Sequence, residues 1–373
     1  MDAELKVDAA DGTVVPARFW HHLSDGRVQC DLCPRFCKLK AGQRGLCFVR
    51  GADRDGMVLT SYARSSGFCI DPIEKKPLNH FLPGTPVLSF GTAGCNLACK
   101  FCQNWDMSKS REMDRMMDQA LPEILARTAD ELGCRSVAFT YNDPVIFHEY
   151  AVDTADACRE LGLKSVAVSA GYVCPEPRAE FYARMDAVNI DLKAFSEDFY
   201  RNVTGGELAP VLDTLRYLKN ETKVWFEITT LLIPGLNDSD HELRAMTAWI
   251  MDNLGPDVPH HFSAFHPDWK MIDVPATTHD TLIRARRIAR EAGLNYVYVG
   301  NVRDPEADST WCSNCGDLLI GRDWYVLGDW NVGAGRCGTC DTPIAGVFED
   351  EPGNWGAKRQ PVRLGNIRSA SGI

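Results

Sequence analysis

From residue 87 onward, short apolar runs rich in β-branched and aromatic residues alternate with amphipathic stretches. The runs at 87–91, 136–140, 164–169, 187–192, 223–232 and 260–265, with a further short one at 295–299, read as strands bounded by turn residues. Between them the apolar positions recur at helical spacing. Helices are predicted over 118–133, 145–161, 176–184, 208–220, 238–253 and 278–292, each opening near Pro, Asp, Ser or Thr. Strands alternating with helices in this way mean right-handed βα units on a parallel sheet. The expected fold is α/β, a partial (β/α)6 TIM-like barrel, and no internal repeat suggests otherwise.

In βα barrels the chemistry sits on loops at the carboxyl ends of the strands. The polar residues of this chain gather there. Cys95, Cys99 and Cys102 follow the first strand, and Tyr141-Asn142-Asp143-Pro144 the second. Ser169-Ala170-Gly171 follows the third strand, Asp191-Leu192-Lys193 ends the fourth, Ile233-Pro234-Gly235 the fifth and His266-Pro267 the sixth. Each has an ordinary structural reading: Asn-Asp-Pro is a helix cap with Pro at N1, and Asp191 with Lys193 makes a common ion pair. All six at one barrel mouth point to a site.

The trio lies in GCNLACKFCQNW with the spacing C-x3-C-x2-C. Three thiolates on one short loop can hold three corners of a cubic iron–sulfur cluster and leave the fourth iron open. Sites that only carry electrons usually supply four thiolates. An open iron binds a substrate or cofactor directly. Phe101 would shield the cluster from water, and Gly91 and Gly94 let the backbone approach closely.

With this motif the chain resembles the radical S-adenosylmethionine (SAM) enzymes. The longer string DPIEKKPLNHFLPGTPVLSFGTAGCNLACKFCQNW is similar to the radical SAM component of the AmmeMemoRadiSam system, near the glycyl-radical-enzyme activating enzymes such as pyruvate formate-lyase activating enzyme. The similarity runs from about Cys30 to about Phe348. It implies the same barrel, a [4Fe–4S] cluster at Cys95, Cys99 and Cys102, and reductive cleavage of SAM to a 5′-deoxyadenosyl radical that abstracts hydrogen. It also implies an electron donor such as flavodoxin or ferredoxin, and Memo-like and AMMECR-like protein partners.

SAM needs acceptors for its amino group, a cation for its carboxylate, partners for its ribose hydroxyls and a flat apolar slot for adenine. By resemblance, Asn142 and Asp143 meet the amino group, with Asp143 shorter than the Glu common in relatives. Asp191 and Lys193 match an Asp-x-Lys of the activating enzymes, where the Lys pairs with the methionyl carboxylate. Ser169 stands where relatives often carry Thr-Asn-Gly, with Ala170 in place of the Asn. Ile233 and Gly235 would pack on adenine, and His266 matches a histidine near the SAM site.

The remaining cysteines form two further sets. Cys312-Ser-Asn-Cys315 and Cys337-Gly-Thr-Cys340 read as the two knuckles of a zinc ribbon, with rubredoxin-like iron as the rival. Cys30, Cys33, Cys37 and Cys47 supply four thiolates within eighteen residues, suited to zinc or to a second, closed cluster. Cys69, Cys134, Cys158 and Cys174 have no such spacing and are expected in the core. The cysteines divide the chain into a metal-binding segment at 1–60, the barrel at 61–303, a ribbon-like module at 304–350 and a tail at 351–373.

Composition narrows the function. The net charge of −11, with no long basic run, argues against a nucleic-acid backbone as partner. The acidic start lacks a secretory pattern, no stretch approaches a membrane span, and clustered cysteines suit a reducing, cytoplasmic setting. An oxidoreductase-type radical enzyme is expected, most plainly one acting on a peptide or protein side chain. A glycyl-radical activating enzyme is the nearest alternative, and a cluster-bearing electron carrier or scaffold the alternative of another class. Trp269, Lys270, Trp324 and Trp330 offer aromatic surface for docking or packing.

Overall fold

The structure, a computed structural model, describes residues 13–109 and 118–364. The chain divides into two compact units, residues 1–70 with 87–186 and 360–373, and residues 71–86 with 187–359.

In the first unit three strands run parallel, Pro86–Phe90, Ser136–Phe139 and Lys164–Ser169, with Ser136–Phe139 between the other two. Val87, Leu88, Phe90, Val137, Ala138, Phe139, Val166 and Ala167 are all buried. Such unbroken apolar runs suit strands covered on both faces. Their helices are Pro122–Glu131, His148–Glu160 and Pro175–Tyr182. The first starts four residues later than the periodicity predicts. Proline at N1 sets its start, while Asp118–Gln119 pairs as a short strand with Arg64–Ser65. The second begins as a tight 3-10 turn, Pro144–Phe147, because the Asp143 carboxylate accepts the Val145 N–H at 3.0 Å.

The segment before the barrel folds into short antiparallel ribbons that the sequence pattern does not announce. Trp20–His22 pairs with Val28–Cys30, which pairs with Lys38–Leu39. Met57–Leu59 pairs with Val15–Pro16 and with Arg50–Ala52. A buried ion pair fixes this segment to the unit: Arg50 donates to both oxygens of Glu149, at 2.8 and 3.1 Å. Residues 360–362 add an antiparallel strand to Phe68–Ile70.

In the second unit four parallel strands follow in order: Ala187–Asp191, Trp225–Leu232, His260–Ala264 and Val297–Gly300. Helices Ala209–Glu221, Asp240–Leu254 and His279–Glu291 connect them. Ser239 and Thr278 cap two of these, accepting from the backbone of Glu242 and Thr281. The unit ends in an antiparallel ribbon, Thr310–Trp311, Leu318–Asp323 and Val326–Trp330. The ribbon shares an apolar cluster with Tyr296 and Tyr298, built from Cys312, Leu319, Ile320, Val332, Cys337 and Ile344.

The string DPIEKKPLNHF proves to be architectural. Asp71 holds buried Lys76 at 2.7 Å and Lys75 at 3.0 Å. Glu227 accepts the N–H groups of Asn79 and His80 and pairs with His261 at 2.6 Å. His80 meets Tyr298, Tyr298 meets Thr310, and Arg322 bonds both Thr310 and the Asn79 carbonyl. Burial drives His80 down to about 4, so it is neutral. Burial also pushes Glu74, which accepts the Gly84 N–H, up to about 7. Among the described residues no helix is long and apolar enough to cross a membrane.

Candidate functional site

Cys95, Cys99 and Cys102 lie on the loop that leaves the first parallel strand; Cys99 is buried, and Cys95 and Cys102 are half-buried. The loop has no room to spare. A Cβ on Gly91 would stand 2.4 Å from the Thr140 carbonyl and 2.5 Å from Asn142 Oδ1. Gly94 has φ +82°, and its Cβ would fall 1.9 Å from the Cys47 carbonyl oxygen, so only glycine fits. Asn142 braces the loop from the second strand: its Nδ2 donates to the Gly94 carbonyl at 2.8 Å and its Oδ1 accepts the Thr92 N–H at 3.1 Å. Farther along, Asn104 donates to the Tyr141 carbonyl, Lys109 to the Leu97 carbonyl, and Cys102 Sγ lies 3.0 Å from Ser108 Oγ. Phe101 is buried.

Asp143, Ser169 and Ala170 meet beside this loop. The Ser169 hydroxyl donates to Asp143 at 3.1 Å, and the Ala170 N–H donates at 3.0 Å. Asp143 thus ties the second strand's loop to the third's. Burial, with the Asp143 carboxylate nearby, pushes the Cys95 thiol up. A metal binding there must displace the proton.

The second unit carries the other expected contacts. Lys193 Nζ lies 2.9 Å from Asp191 Oδ2 in a half-buried pair, and the Lys193 N–H donates to Tyr200 Oη. Ile233 is buried. Asn237 was not foreseen: its Oδ1 accepts the Ile233 N–H at 2.7 Å, and its Nδ2 donates to the carbonyls of Lys193 and Leu231. One side chain therefore locks the ends of the fourth and fifth strands. Its position two residues after left-handed Gly235 marks a turn, but the sequence does not reveal the partner across the loop. His266 is exposed, with Nδ1 3.4 Å from the Pro267 carbonyl oxygen.

The tail cysteines converge. Cys312, Cys315, Cys337 and Cys340 have sulfurs within 4.8 Å of one another. Cys312 and Cys340 lie 3.6 Å apart, Cys315 and Cys337 3.8 Å. A tetrahedral ion with 2.3 Å bonds to sulfur sets its ligands about 3.8 Å apart. Each knuckle turns on a residue in the left-handed region, Gly316 and Asp341. Hydrogen bonds from Thr342 and Asn314 pull the Cys340 thiol down to about 6, which favours the metal-binding thiolate. Cys30, Cys33, Cys37 and Cys47 instead line one cavity. Cys69, Cys134, Cys158 and Cys174 are buried, as core cysteines should be.

A strand–loop–strand frame carrying three cysteines, followed by acidic and cationic loop ends, defines an enzyme class, and comparison with known proteins identifies it. Residues 90–246 match the radical SAM superfamily. The chain is 39% identical over 332 residues to an uncharacterized protein of Methanocaldococcus jannaschii, covering 88% of this chain and 98% of that one. It is 24% identical over 213 residues to the pyruvate formate-lyase-activating enzyme of Clostridium pasteurianum, covering 53% and 87% respectively. A radical SAM methyltransferase structure from Sphaerobacter thermophilus aligns at TM-score 0.47 and 16% identity, over 82% of this chain and 81% of that one. The chain belongs to the radical SAM superfamily, whose fold is an α/β partial barrel on a parallel sheet. Membership implies radical-based catalysis with a [4Fe–4S] cluster, SAM and a reducing partner.

Proposed function

We propose that this chain reductively cleaves SAM at a [4Fe–4S] cluster held by Cys95, Cys99 and Cys102, giving a 5′-deoxyadenosyl radical that takes hydrogen from a peptide or protein side chain. The observation that carries this reading is the cysteine loop itself, which leaves the first parallel strand, is braced by Asn142 and packs too closely at Gly91 and Gly94 for any side chain. Asp143, fixed by Ser169 and Ala170, supplies a carboxylate beside Cys95 that suits an ammonium group. Lys193, held by Asp191, is a positioned cation for a carboxylate. Ile233 offers apolar surface for adenine, and Asn142 and Asn237 act by positioning. Tail zinc at Cys312, Cys315, Cys337 and Cys340 fits the sulfur spacing.

A macromolecular substrate is favoured by aromatic surface: Trp324 is 40% exposed, and Trp269 is half-buried, with Lys270 4.6 Å over its ring. Memo-like and AMMECR-like proteins, implied by the long motif string, are the first candidates to present it. Similarity to the pyruvate formate-lyase-activating enzyme supports glycyl-radical generation as a second reading. The test is reductant-dependent release of 5′-deoxyadenosine from reconstituted protein. The triple variant Cys95→Ala/Cys99→Ala/Cys102→Ala should release none, and undiminished release would refute the assignment. Release should accelerate when the partner protein is added. Full coupling to product with a small molecule alone would overturn the macromolecular reading.

A further inference from the structure

The two four-cysteine sets differ in a way their spacing in the sequence does not disclose. Among the described residues, the tail set is the only group of three or more His, Cys, Asp or Glu whose ligand atoms lie within 4.8 Å of one another. Cys30, Cys33, Cys37 and Cys47 form no such group, so they do not describe the tetrahedron of a single zinc ion, with edges of about 3.8 Å. They instead line one cavity, together with Arg35, Arg50 and Asn96. In a cubic cluster, iron and sulfide stand between the cysteine sulfurs and hold them farther apart.

The lining suits such a guest. Arg35 Nη2 and Arg50 Nε are both buried and lack a hydrogen-bond partner among the described residues, and both side chains line the cavity. Inorganic sulfides accept N–H donors, and such bonds tune cluster potential. Arg50 is held by Glu149, and Arg35 donates through Nε to the Asn96 carbonyl at 2.8 Å. Asn96 also lines the cavity and directly follows Cys95. On the other side of Cys95, Gly94 packs against the Cys47 carbonyl so closely that no Cβ would fit. The cavity therefore shares a wall with the trio's loop.

We propose that Cys30, Cys33, Cys37 and Cys47 hold a closed [4Fe–4S] cluster that relays electrons to the cluster at Cys95, Cys99 and Cys102. The relay rests on the radical SAM reading of the trio; the front cluster does not. Four cysteines leave no open iron, so the front cluster carries electrons and binds no substrate. It takes one electron from a low-potential ferredoxin- or flavodoxin-type donor, passing from the 2+ to the 1+ state. It then returns to 2+ as the trio's cluster is reduced by the same electron. No atom is transferred.

Metal analysis and electron paramagnetic resonance of the full chain, reconstituted without oxygen, test this. Wild-type protein should hold about eight irons and one zinc, and the triple variant Cys95→Ala/Cys99→Ala/Cys102→Ala about four irons. That variant's reduced signal should not respond to SAM. The variant Cys30→Ser/Cys37→Ser should also keep about four irons, with a SAM-responsive signal and slowed single-turnover reduction by the protein donor. About four irons and two zincs in wild type, with an iron-free triple variant, would overturn the front cluster and leave the radical SAM reading intact. Unchanged reduction of the trio's cluster in the Cys30→Ser/Cys37→Ser variant would overturn the relay. A triple variant that still releases 5′-deoxyadenosine would refute the trio assignment instead. Should Cys30→Ser/Cys37→Ser fail to fold, wild type and the triple variant still decide the cluster, and Arg35→Leu, which alters the wall and no ligand, should shift the SAM-insensitive signal. An unshifted signal would overturn the proposed seat of the cluster.

Discussion

Replacing Asn142 tests whether the cysteine loop is held from the second strand. Asn142→Ala removes the donor to the Gly94 carbonyl and the acceptor for the Thr92 N–H, both in buried surroundings. Each backbone group left without a partner costs about 1–3 kcal/mol, so the loop loses about 2–6 kcal/mol of local stability. At 1.4 kcal/mol per factor of ten, the lower bound is already about thirtyfold in the population of the ordered loop. Asn142→Asp sharpens the test. A carboxylate still accepts from Thr92, but its second oxygen faces the Gly94 carbonyl where a donor is required. It should therefore lose about as much as Asn142→Ala, despite near-identical shape. The assay is iron per chain after anaerobic reconstitution and gel filtration, with a thermal melt as control. Both variants should lose trio iron while the melt of the rest of the chain shifts little. Full iron retention by both would refute the bracing role.

Lys193→Ala should weaken SAM binding by about 1.5–3 kcal/mol, the range for a hydrogen bond to a charged group; equilibrium dialysis giving an unchanged dissociation constant would leave Lys193 only its pair with Asp191. Cys312→Ser/Cys340→Ser should lose about one zinc per chain and keep all its iron, whereas loss of iron would place a cluster in the ribbon. Glu74 carries a pH signature. Its folded-state pKa is raised to about 7, so its favourable contribution is complete below the ordinary carboxylate range and is lost as pH rises through about 7. Glu74→Gln lacks that dependence and should gain on wild type by up to about 3 kcal/mol across this window, read as a difference in melting temperature; parallel curves would refute it.

The strands of the parallel sheet were legible because they are unbroken runs such as Ser136–Phe139 and Trp225–Leu232, and runs of that kind are buried wherever they pair. The antiparallel ribbons around Trp20–His22 and Arg50–Ala52 were not, because two- and three-residue strands carry no period. Candidate residues at strand ends could be read from position alone. Their partners could not: Asn237 reaches the Lys193 carbonyl across 44 residues of sequence, and Asn142 reaches Gly94 across 48. The same limit applies to the cysteines. Spacing marks both four-cysteine sets, but only the structure shows that the tail sulfurs lie within 4.8 Å of one another while the front four line a cavity.

The bonds of Asn79 and His80 set an order on biosynthesis. Asn79 waits for Arg322, 243 residues later, and His80 for the Ala345 carbonyl, 265 residues later. At roughly 5–20 residues per second, the ribosome needs on the order of 10–50 seconds to deliver those partners. Through that interval the segment Asp71–Pro86 awaits partners while part of its own unit is still unmade. The first unit's three parallel strands are complete by Ser169, although its antiparallel strand at 360–362 comes later still. Its cysteine loop and Asn142 are therefore available together early in synthesis. A ribosome stalled after residue 186 would carry a nascent chain holding the trio and the front cysteines, but neither Lys193 nor the ribbon. The three cysteines and Asn142 are thus made well before the ribbon residues at 310–330.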